Sequence, residues 1–560
     1  MALSSHVNAD ELMKAAEDHP HLSLLKRAGG GSKRHAFHTS HYGRYQTEPI
    51  PKYSLPSKGI NADAAYNLIN DELSLDGRPA LNLASFVHTN MLPQAHQLMT
   101  ENVSINLCDQ DEYPATMAIH GRCVSMIADM WHAPSETNEQ GERQPAQGVA
   151  TTGSSEALML AALAMKKVWQ HKRKDAGKSF KEPGPNLVFG ANAQVCIEKA
   201  ARYFDIEERL VPTSKESKYR LDPKKAIEMC DENTIGVVVI LGSTYTGHYE
   251  PVEEMSKLLD EYEQRTGQHI PIHVDAASGG FVAPFAHPSL KWDFSIPRVV
   301  SINTSGHKFG GVYPGIGWVV FRNSAVLPRE LVFELHYLGS VEYSFGLNFS
   351  RPAAQVIAQY FNLIQRGFQG YRDVMEQDLK NARLLSRALE MSGYYEVLSE
   401  IHRPVGGGAL KEGAEEYSAE DFEPGLPVVA FRWTDELKEK NPHLEQKWMQ
   451  TLLRVKGWIV PNYELAPDCQ GTEILRVVVR EQASEDFIDQ LVHDILSVTE
   501  DLLDRGSSAQ HLAMLAHKEP QQDSSSGSGH GKHRHHNLSK APHKPPHGSG
   551  HKATGYSKQC

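Results

Sequence analysis

Short apolar runs alternate with helix-sized segments through the middle of this chain, and this alternation limits the possible folds more than any other feature. The runs are rich in Val and Ile and nearly continuous in hydrophobicity, as expected of parallel strands covered on both faces. They lie at residues 186–191, 234–241, 270–275, 298–303 and 316–321. Helical patterns such as those at 154–169 and 251–266 separate them. The alternation predicts an α/β domain with a mainly parallel sheet.

The flanking sequence divides the chain into four predicted parts. We expect a partly flexible N-terminal arm, a large domain with its N-terminal segment, a small C-terminal α/β domain and a disordered tail, at residues 1–58, 59–365, 366–505 and 506–560. Strand-like runs at 428–433 and 474–479 indicate the small domain. Residues 521–560 hold seven His, six Lys or Arg and one acidic residue, a composition that cannot bury enough apolar surface to fold.

Composition narrows the class of protein. The net charge of −12 argues against nucleic-acid binding as the main role, because nucleic-acid-binding domains are usually basic. No apolar run approaches the roughly 18 residues of a membrane-spanning helix, and the polar, acidic start of the chain is unlike a signal or transit peptide. The six cysteines are scattered, which is typical of free thiols in a reducing compartment. We expect a soluble cytoplasmic enzyme that binds neither nucleic acid nor membranes.

The strongest local signal is the sequence Ser-Gly-His-Lys at 305–308, just after the run at 298–303. A lysine at a strand end among small residues is held rigidly with its amine partly desolvated, which suits a Schiff-base former. Taken alone, Lys308 is explained equally well as a solvated surface lysine.

A second candidate, Asp275, ends the apolar run at 270–275. An unpaired carboxylate is costly to bury there, so its place makes sense if it faces a cation such as the protonated pyridine nitrogen of pyridoxal phosphate. Ala277 would point to the same face and leave room for a flat ring. The alternative is an aspartate that caps a turn at Gly279 and Gly280.

A third candidate is Gly-Ser-Ser-Glu-Ala at 153–157, where a helical pattern begins. The hydroxyls of Ser154 and Ser155, with free backbone N–H groups at a helix N-terminus, form an anion site. Alone, the motif is better explained as an ordinary helix cap. Together, however, the three candidates supply a phosphate cradle, a pyridine-nitrogen partner and a Schiff-base lysine, each at a strand or helix end of one α/β domain. The set predicts a site for pyridoxal 5′-phosphate.

These motifs resemble a known family. The stretches 153–157, 275–280 and 305–308 are similar to those of pyridoxal-phosphate decarboxylases, and further stretches resemble glutamate decarboxylases more closely, at 231–236, 244–247, 292–294 and 348–352. The similarity spans roughly residues 45–500. It implies an aspartate-aminotransferase-like α/β fold (fold type I), with a large mainly parallel-sheet domain and a smaller C-terminal domain.

The resemblance also implies roles for individual residues around the cofactor. Lys308 would hold it covalently, Asp275 would pair with its pyridine nitrogen, and Lys308 or His307 would donate the proton to Cα. The residues implied in cofactor binding are Ser154, Ser155 and His307 at the phosphate, Ser350 reaching it from a neighbouring subunit, Gln194 and Ala277 on the two ring faces, and Thr244 beside Asp275. Without the family, Gln194 and Thr244 are better explained as turn formers.

Two segments are implied in substrate binding within one subunit. Arg476 matches the family arginine that pairs with the substrate α-carboxylate, and Arg480 is the competing candidate. The stretch at 82–86 resembles the family segment that grips the distal carboxylate, through the Ser85 hydroxyl and the backbone N–H of Phe86.

Asn106 and Asp109 would reach the same distal carboxylate from the partner subunit. The resemblance thereby implies at least a homodimer with shared active sites. Because two carboxylates repel each other, Asp109 would suit this place only if one of the two groups holds a proton. Without the family, a polar loop is the better interpretation of both residues.

The implied reaction is the α-decarboxylation of L-glutamate to 4-aminobutanoate and carbon dioxide. Three alternatives stay open: a pyridoxal-phosphate decarboxylase or lyase that acts on another amino acid, a catalytically silent relative that serves as a binding protein, and a metal-handling protein, suggested only by the 29 histidines. No core histidines have ligand spacing, so we predict no metal site. The tail has few apolar anchors, so we do not expect it to bind calmodulin.

Overall fold

The computed structural model describes residues 53–137, 140–142, 144–335, 342–408 and 417–505. The predicted tail and all but the last six residues of the predicted arm lie outside these ranges. The chain divides into two compact units, Met1–Gly77 and Arg78–Cys560. In the first, the described helix is α1 (Ala62–Leu73), whose N-cap Asn61 accepts a hydrogen bond from the backbone N–H of Asp63 at 2.8 Å.

The second unit contains a seven-stranded sheet. Its strands are Gly148–Thr151 (β1), Asn186–Gly190 (β2), Glu207–Val211 (β3), Thr234–Ile240 (β4), Ile272–Asp275 (β5), Val299–Thr304 (β6) and Gly317–Phe321 (β7). They lie in the order β1-β7-β6-β5-β4-β2-β3. Strand β7 is antiparallel to β1 and β6, and the other neighbours pair in parallel. All five predicted runs are strands, with ends within two residues of those expected, and the predicted α/β fold is confirmed.

Helices accompany this sheet along the chain. They are α2 (Pro93–Glu101), α3 (Pro114–Met130), α4 (Ser154–Asp175), α5 (Val195–Tyr203), α6 (Pro223–Glu228), α7 (Val252–Thr266) and α8 (Ala283–Ala286). Successive residues of β4 belong to different cores. Val237 and Val239 share a buried cluster with Leu259 of α7, whereas Val238 and Ile240 share another with residues of α4. Because neighbouring side chains of a strand point to opposite faces, both faces of the sheet are covered.

The C-terminal part begins with the 38-residue helix α9 (Ala354–Met391), which follows the short hairpin of β8 (Phe333–Leu335) and β9 (Glu342–Ser344). A four-stranded antiparallel sheet contains β10 (Tyr395–Val397), β11 (Val428–Trp433), β12 (Asn462–Glu464) and β13 (Glu473–Val478), in the order β10-β11-β13-β12. Its helices are α10 (Asp435–Lys440), α11 (Lys447–Val455) and α12 (Glu485–Arg505). Both predicted strands of the small domain are present.

Helix α9 runs across the predicted domain boundary between residues 365 and 366. Gly367, with φ of 56° and ψ of −168°, interrupts its helical dihedral angles close to that point. The domain bounds themselves stay a prediction. Within the described ranges, no helix is both long and apolar enough to cross a membrane.

Candidate active site

A cavity of about 220 Å³ lies beyond the carboxyl ends of β1, β2, β4, β5 and β6. It is lined by nine of the residues singled out from the sequence: Phe86, Ser154, Ser155, Gln194, Thr244, Asp275, Ala277, His307 and Lys308. Parallel strands end at one edge of a sheet, which is where ligands of open α/β sheets bind. The lining does not include Ser85, Asn106, Asp109, Ser350 or Arg476.

One end of the cavity is the N-terminus of α4. The Ser305 hydroxyl donates a hydrogen bond to Ser154 Oγ at 2.8 Å and accepts one from the Ser154 backbone N–H at 3.4 Å. Gly317 at the start of β7 lies against this turn, because a Cβ added there would stand 2.7 Å from the Ser154 nitrogen. Backbone N–H groups and small hydroxyls at a helix N-terminus suit a phosphate. Ser305 was not singled out from the sequence, although it stands in the Lys308 motif.

His307 borders the same end. Its Nδ1 atom is buried and makes no hydrogen bond with any residue that the structure describes, and a Cβ on Gly153 would come within 3.2 Å of its ring. Burial, with a smaller effect from the Lys308 charge, lowers the pKa of His307 to about 4. The imidazole is therefore neutral near pH 7. An unpaired ring nitrogen beside a helix N-terminus fits the phosphate of pyridoxal phosphate, and a side chain at position 153 would push the ring away by a few tenths of an ångström.

Asp275 stands at the end of β5 and is 3% exposed. Its Oδ1 atom accepts hydrogen bonds from the Asn303 side-chain amide at 2.9 Å and from the Ala277 backbone N–H at 3.2 Å. These two donors fix the orientation of the carboxyl group in the cavity wall, as a partner for a protonated pyridine nitrogen requires.

The Lys308 amine lies close to the aromatic ring of Phe86. Its Nζ atom is 3.3 Å from the Ser278 hydroxyl and 5.3 Å from the centre of the Phe86 ring. A primary amine, a carboxylate and a phosphate cradle therefore surround one cavity. The residues present fit pyridoxal 5′-phosphate.

Arg476 on β13 is buried behind Phe86. Its guanidinium lies 5.0 Å from the Phe86 ring centre and donates to the backbone carbonyls of Thr244, at 2.7 Å, and Ala84. The competing candidate, Arg480, donates to the carbonyls of Asn82, at 2.7 Å, and Val87.

Both arginines thus hold the segment at 82–87 by its backbone. Arg476 is the one that also reaches a residue of the cavity, Thr244. In the same segment, the Ser85 hydroxyl accepts a hydrogen bond from the Val87 N–H at 3.1 Å.

Three further predicted residues form a separate group, which we call the Asn106 group: Asn106, Asp109 and Ser350. The Asn106 amide donates to Ser350 Oγ at 3.3 Å and to Asp109 Oδ1 at 3.4 Å. Ser350 is exposed, and the other two are half-buried. The structure brings the three together with one another, but not with the cavity of their own chain.

Glu156 is a site residue that the sequence reasoning missed. It is buried in the first turn of α4, where its carboxylate accepts hydrogen bonds from the Thr152 N–H at 2.8 Å and from the Leu347 N–H at 3.0 Å. Asn348 donates to it as well, from its side chain at 3.1 Å. The available signal was the acidic residue after Ser-Ser, which was interpreted only as a capping feature.

Comparisons with known proteins agree with this geometry. The family model described as the pyridoxal-dependent decarboxylase conserved domain matches residues 51–405. The chain is 47% identical over 467 residues to a glutamate decarboxylase of Petunia hybrida, with 83% of this chain and 86% of the relative covered. A glutamate decarboxylase of Saccharomyces cerevisiae is 44% identical, with 85% and 83% covered.

Solved structures give the same result. A Lactobacillus brevis glutamate decarboxylase superposes with a TM-score of 0.71 at 36% identity, over 82% of this chain and 96% of that one. A Burkholderia pseudomallei sphingosine-1-phosphate lyase, at 18% identity and a TM-score of 0.63, shares the fold. The chain belongs to the pyridoxal-dependent decarboxylase family, as its three motifs had predicted.

Proposed function

We propose that this chain removes the α-carboxylate of L-glutamate and releases 4-aminobutanoate and carbon dioxide. One observation carries the proposal: Lys308, Asp275 and the N-terminus of α4 line a single cavity. Arg476 is buried next to Phe86, a further residue of the lining. The substrate is supported by relatives that are 40–47% identical over most of this chain and are named glutamate decarboxylases.

Pyridoxal 5′-phosphate, when bound, supplies an electron-withdrawing ring that takes up the electron pair left by departing carbon dioxide. In our proposal Lys308 holds its aldehyde carbon, Asp275 its pyridine nitrogen, and Ser154, Ser155 and His307 its phosphate. Ala277 and Gln194 flank the ring. Asp275 keeps the ring nitrogen protonated, because a fixed carboxylate favours a proton on a neighbouring base.

Proton delivery to Cα needs a donor that carries a proton near pH 7. The low pKa of His307, about 4, leaves its imidazole neutral and unsuited to this step. We therefore assign the step to Lys308 and give His307 a binding role.

Arg476 would orient the substrate by its α-carboxylate. A guanidinium has five N–H donors, and two backbone carbonyls already fix the position of this one, so it is held in place before substrate arrives. With the α-carboxylate held at Arg476, the bond to the leaving group would keep one direction relative to a bound cofactor ring. A rigid arginine beside the cavity enforces that direction.

The distal carboxylate of glutamate would be bound by the Ser85 hydroxyl, the Phe86 N–H and the Asn106 group of a second subunit. The Asn106 group is partly exposed and is not among the residues that line its own chain's cavity. A homodimer with shared sites gives these residues a function. The five described cysteines are free thiols, which supports the cytoplasmic location predicted from the sequence.

The test is carbon dioxide release from a panel of L-amino acids by the purified protein with pyridoxal phosphate. Release from glutamate alone, abolished by Lys308→Ala and unchanged by Lys291→Ala at an exposed lysine, supports the proposal. Release from another amino acid would keep the chemistry and discard the assigned roles of Ser85, Asn106 and Asp109. No release, despite a bound yellow cofactor, would indicate a different reaction at the same cavity.

A further inference from the structure

A line of buried polar side chains runs from Asp275 into the sheet, away from the cavity. Asn303 donates to Asp275 Oδ1 at 2.9 Å, the Asn303 Oδ1 atom is 2.7 Å from His273 Nε2, and His273 Nδ1 is 2.7 Å from Ser301 Oγ. Each of the four side chains is at most 3% exposed. The line is a consequence of register, since His273 pairs with Ser301, and Asp275 with Asn303, across β5 and β6.

If Asp275 is ionised, the chemistry of these groups sets the direction of the hydrogen bonds from Asp275 to His273. An ionised carboxylate only accepts, so the Asn303 amide nitrogen must face Asp275 and its oxygen must face His273. An amide oxygen also only accepts, so His273 must carry a proton on Nε2. If the imidazole is neutral, its Nδ1 atom accepts in turn, and the Ser301 hydroxyl is the donor.

Reversing the line would require a protonated Asp275. The Asn303 amide would then turn over to accept from the carboxylic acid, and His273 would carry its proton on Nδ1. The His273 tautomer is therefore coupled to the ionisation of Asp275. Burial lowers the pKa of His273 against the opposing effect of the Asp275 charge, and burial thereby favours the uncharged imidazole.

We propose that Asn303 and His273 are positioning residues that hold Asp275 as an oriented, ionised carboxylate without adding a positive charge beside it. The pyridine nitrogen then becomes the cation that balances Asp275. This inference rests on the proposed function, in which Asp275 faces that nitrogen. A role in packing alone would affect the stability of the fold and leave the protonation of the ring unchanged.

The first experiment observes the wild-type protein and uses a variant only to assign the signal. The wild-type holoenzyme, labelled with ¹⁵N at its histidine rings, should show His273 near pH 7 as the neutral imidazole with its proton on Nε2. A protonated His273, or a neutral one with its proton on Nδ1, would overturn the proposal. His273→Gln identifies the signal.

The second experiment reads the cofactor directly, through the ¹⁵N chemical shift of ring-labelled pyridoxal phosphate bound to each variant. His273→Leu removes the donor to Asn303, and Asn303→Ala removes the donor to Asp275. Because a hydrogen bond to a charged group is lost or weakened, we expect the protonation equilibrium of the ring nitrogen to move by about tenfold or more toward the neutral form. Ser301→Ala, at the far end of the line, should cause the smallest change.

Two controls separate positioning from packing. His273→Gln keeps a side-chain N–H and should restore most of the wild-type ring signal. His287→Leu alters another buried histidine of the same unit and should leave that signal unchanged. If His287→Leu changes the ring signal as much as His273→Leu does, or if His273→Gln restores nothing, the line has no specific role.

A variant of Asp275 distinguishes failure of the inference from failure of the proposed function. If Asp275→Asn leaves the ring-nitrogen signal unchanged, Asp275 does not face the pyridine and both proposals about it fail. If Asp275→Asn moves the signal whereas His273→Leu and Asn303→Ala do not, the role of Asp275 stands and the positioning role alone is wrong.

Discussion

The residues around the cavity and the Asn106 group differ in how firmly one chain holds them. Around the cavity, Ser305 bonds to Ser154 at 2.8 Å and Asn303 bonds to Asp275 at 2.9 Å, and all four side chains are buried. The bonds within the Asn106 group are 3.3 and 3.4 Å long, and its members are exposed or half-buried. The side chains of the first set are buried and bond to one another within a single chain, whereas those of the second are partly open to solvent, where a partner can reach them.

The largest effect is expected at the cavity. Lys308→Ala removes the amine that we assign to cofactor attachment and proton delivery, so kcat should fall by at least about a thousandfold. Steady-state kinetics with glutamate, combined with the visible spectrum of the bound cofactor, checks this. Activity within tenfold of wild type would show that Lys308 has no essential role in the reaction.

Arg476 shares a property with each set. It is buried, like the residues around the cavity, and it is proposed to bind substrate, like the Asn106 group. Arg476→Gln should reduce kcat/KM by about tenfold to a hundredfold, the value of a hydrogen bond between charged groups. The matched control is Arg432→Gln. Arg432 lies on the neighbouring strand of the same sheet and forms ion pairs with Glu396 and Asp435.

Kinetics of both arginine variants, with cofactor content measured in parallel, separates substrate binding from cofactor loss. Equal effects of the two substitutions would indicate damage to the small sheet, and would not support contact between Arg476 and the substrate.

Substitutions in the Asn106 group, and mixtures of two variant chains, test whether these residues serve a second subunit. Asp109→Ala should raise KM for glutamate by about tenfold, since a contact to one substrate carboxylate is lost, whereas Glu112→Ala, at a nearby exposed position, should not.

If sites are shared, co-expression of Lys308→Ala chains with Asn106→Ala/Asp109→Ala chains creates heterodimers with one intact site. Random pairing should then recover about a quarter of wild-type activity.

Homodimers of either variant provide the baseline for that experiment. Mixed preparations that are no more active than the average of the two homodimers would show that Asn106 and Asp109 do not serve a second subunit.

A further effect concerns the acid stability of the buried interior. Burial lowers the pKa of His287 from 6.5 to about 4. Between these values the unfolded chain binds a proton that the folded chain does not, so this histidine makes the protein less stable as pH falls from about 6.5 to about 4.

His287→Gln should therefore flatten the pH dependence of the free energy of unfolding by about 1 kcal/mol per pH unit in that window. Urea unfolding of both proteins at several pH values measures it. Identical slopes would show that His287 is protonated in the folded state or is hydrated.

The sequence predicted the parts of this molecule that depend on local pattern. Strand β4 is a continuous apolar run, and its ends were predicted to within one residue. The edge strand β3, Glu-Glu-Arg-Leu-Val, was not predicted, because one side of it meets solvent and its sequence is charged. Lys308, Asp275 and Ser154 were found because each stands at the end of a strand or the start of a helix.

Contacts that depend on register or on distant segments were not accessible in the same way. Asn303 is an ordinary polar residue in the sequence, and it becomes a partner of Asp275 only because β5 and β6 pair with that particular alignment. Glu156 binds the backbone of Leu347, 191 residues away, which no local pattern indicates. Such contacts follow from tertiary structure, so a single sequence reveals the type of site but not what supports it.

The backbone contact between Gly317 and the turn at Gly153 sets a limit for protein engineering. Most cavities are reshaped by exchanging side chains, but here main chain packs on main chain, and a single methyl group at 317 would stand 2.7 Å from the Ser154 nitrogen. Side chains at the Ser154 end can be exchanged, but more room between Gly317 and this turn requires a change of backbone, which point mutation does not supply.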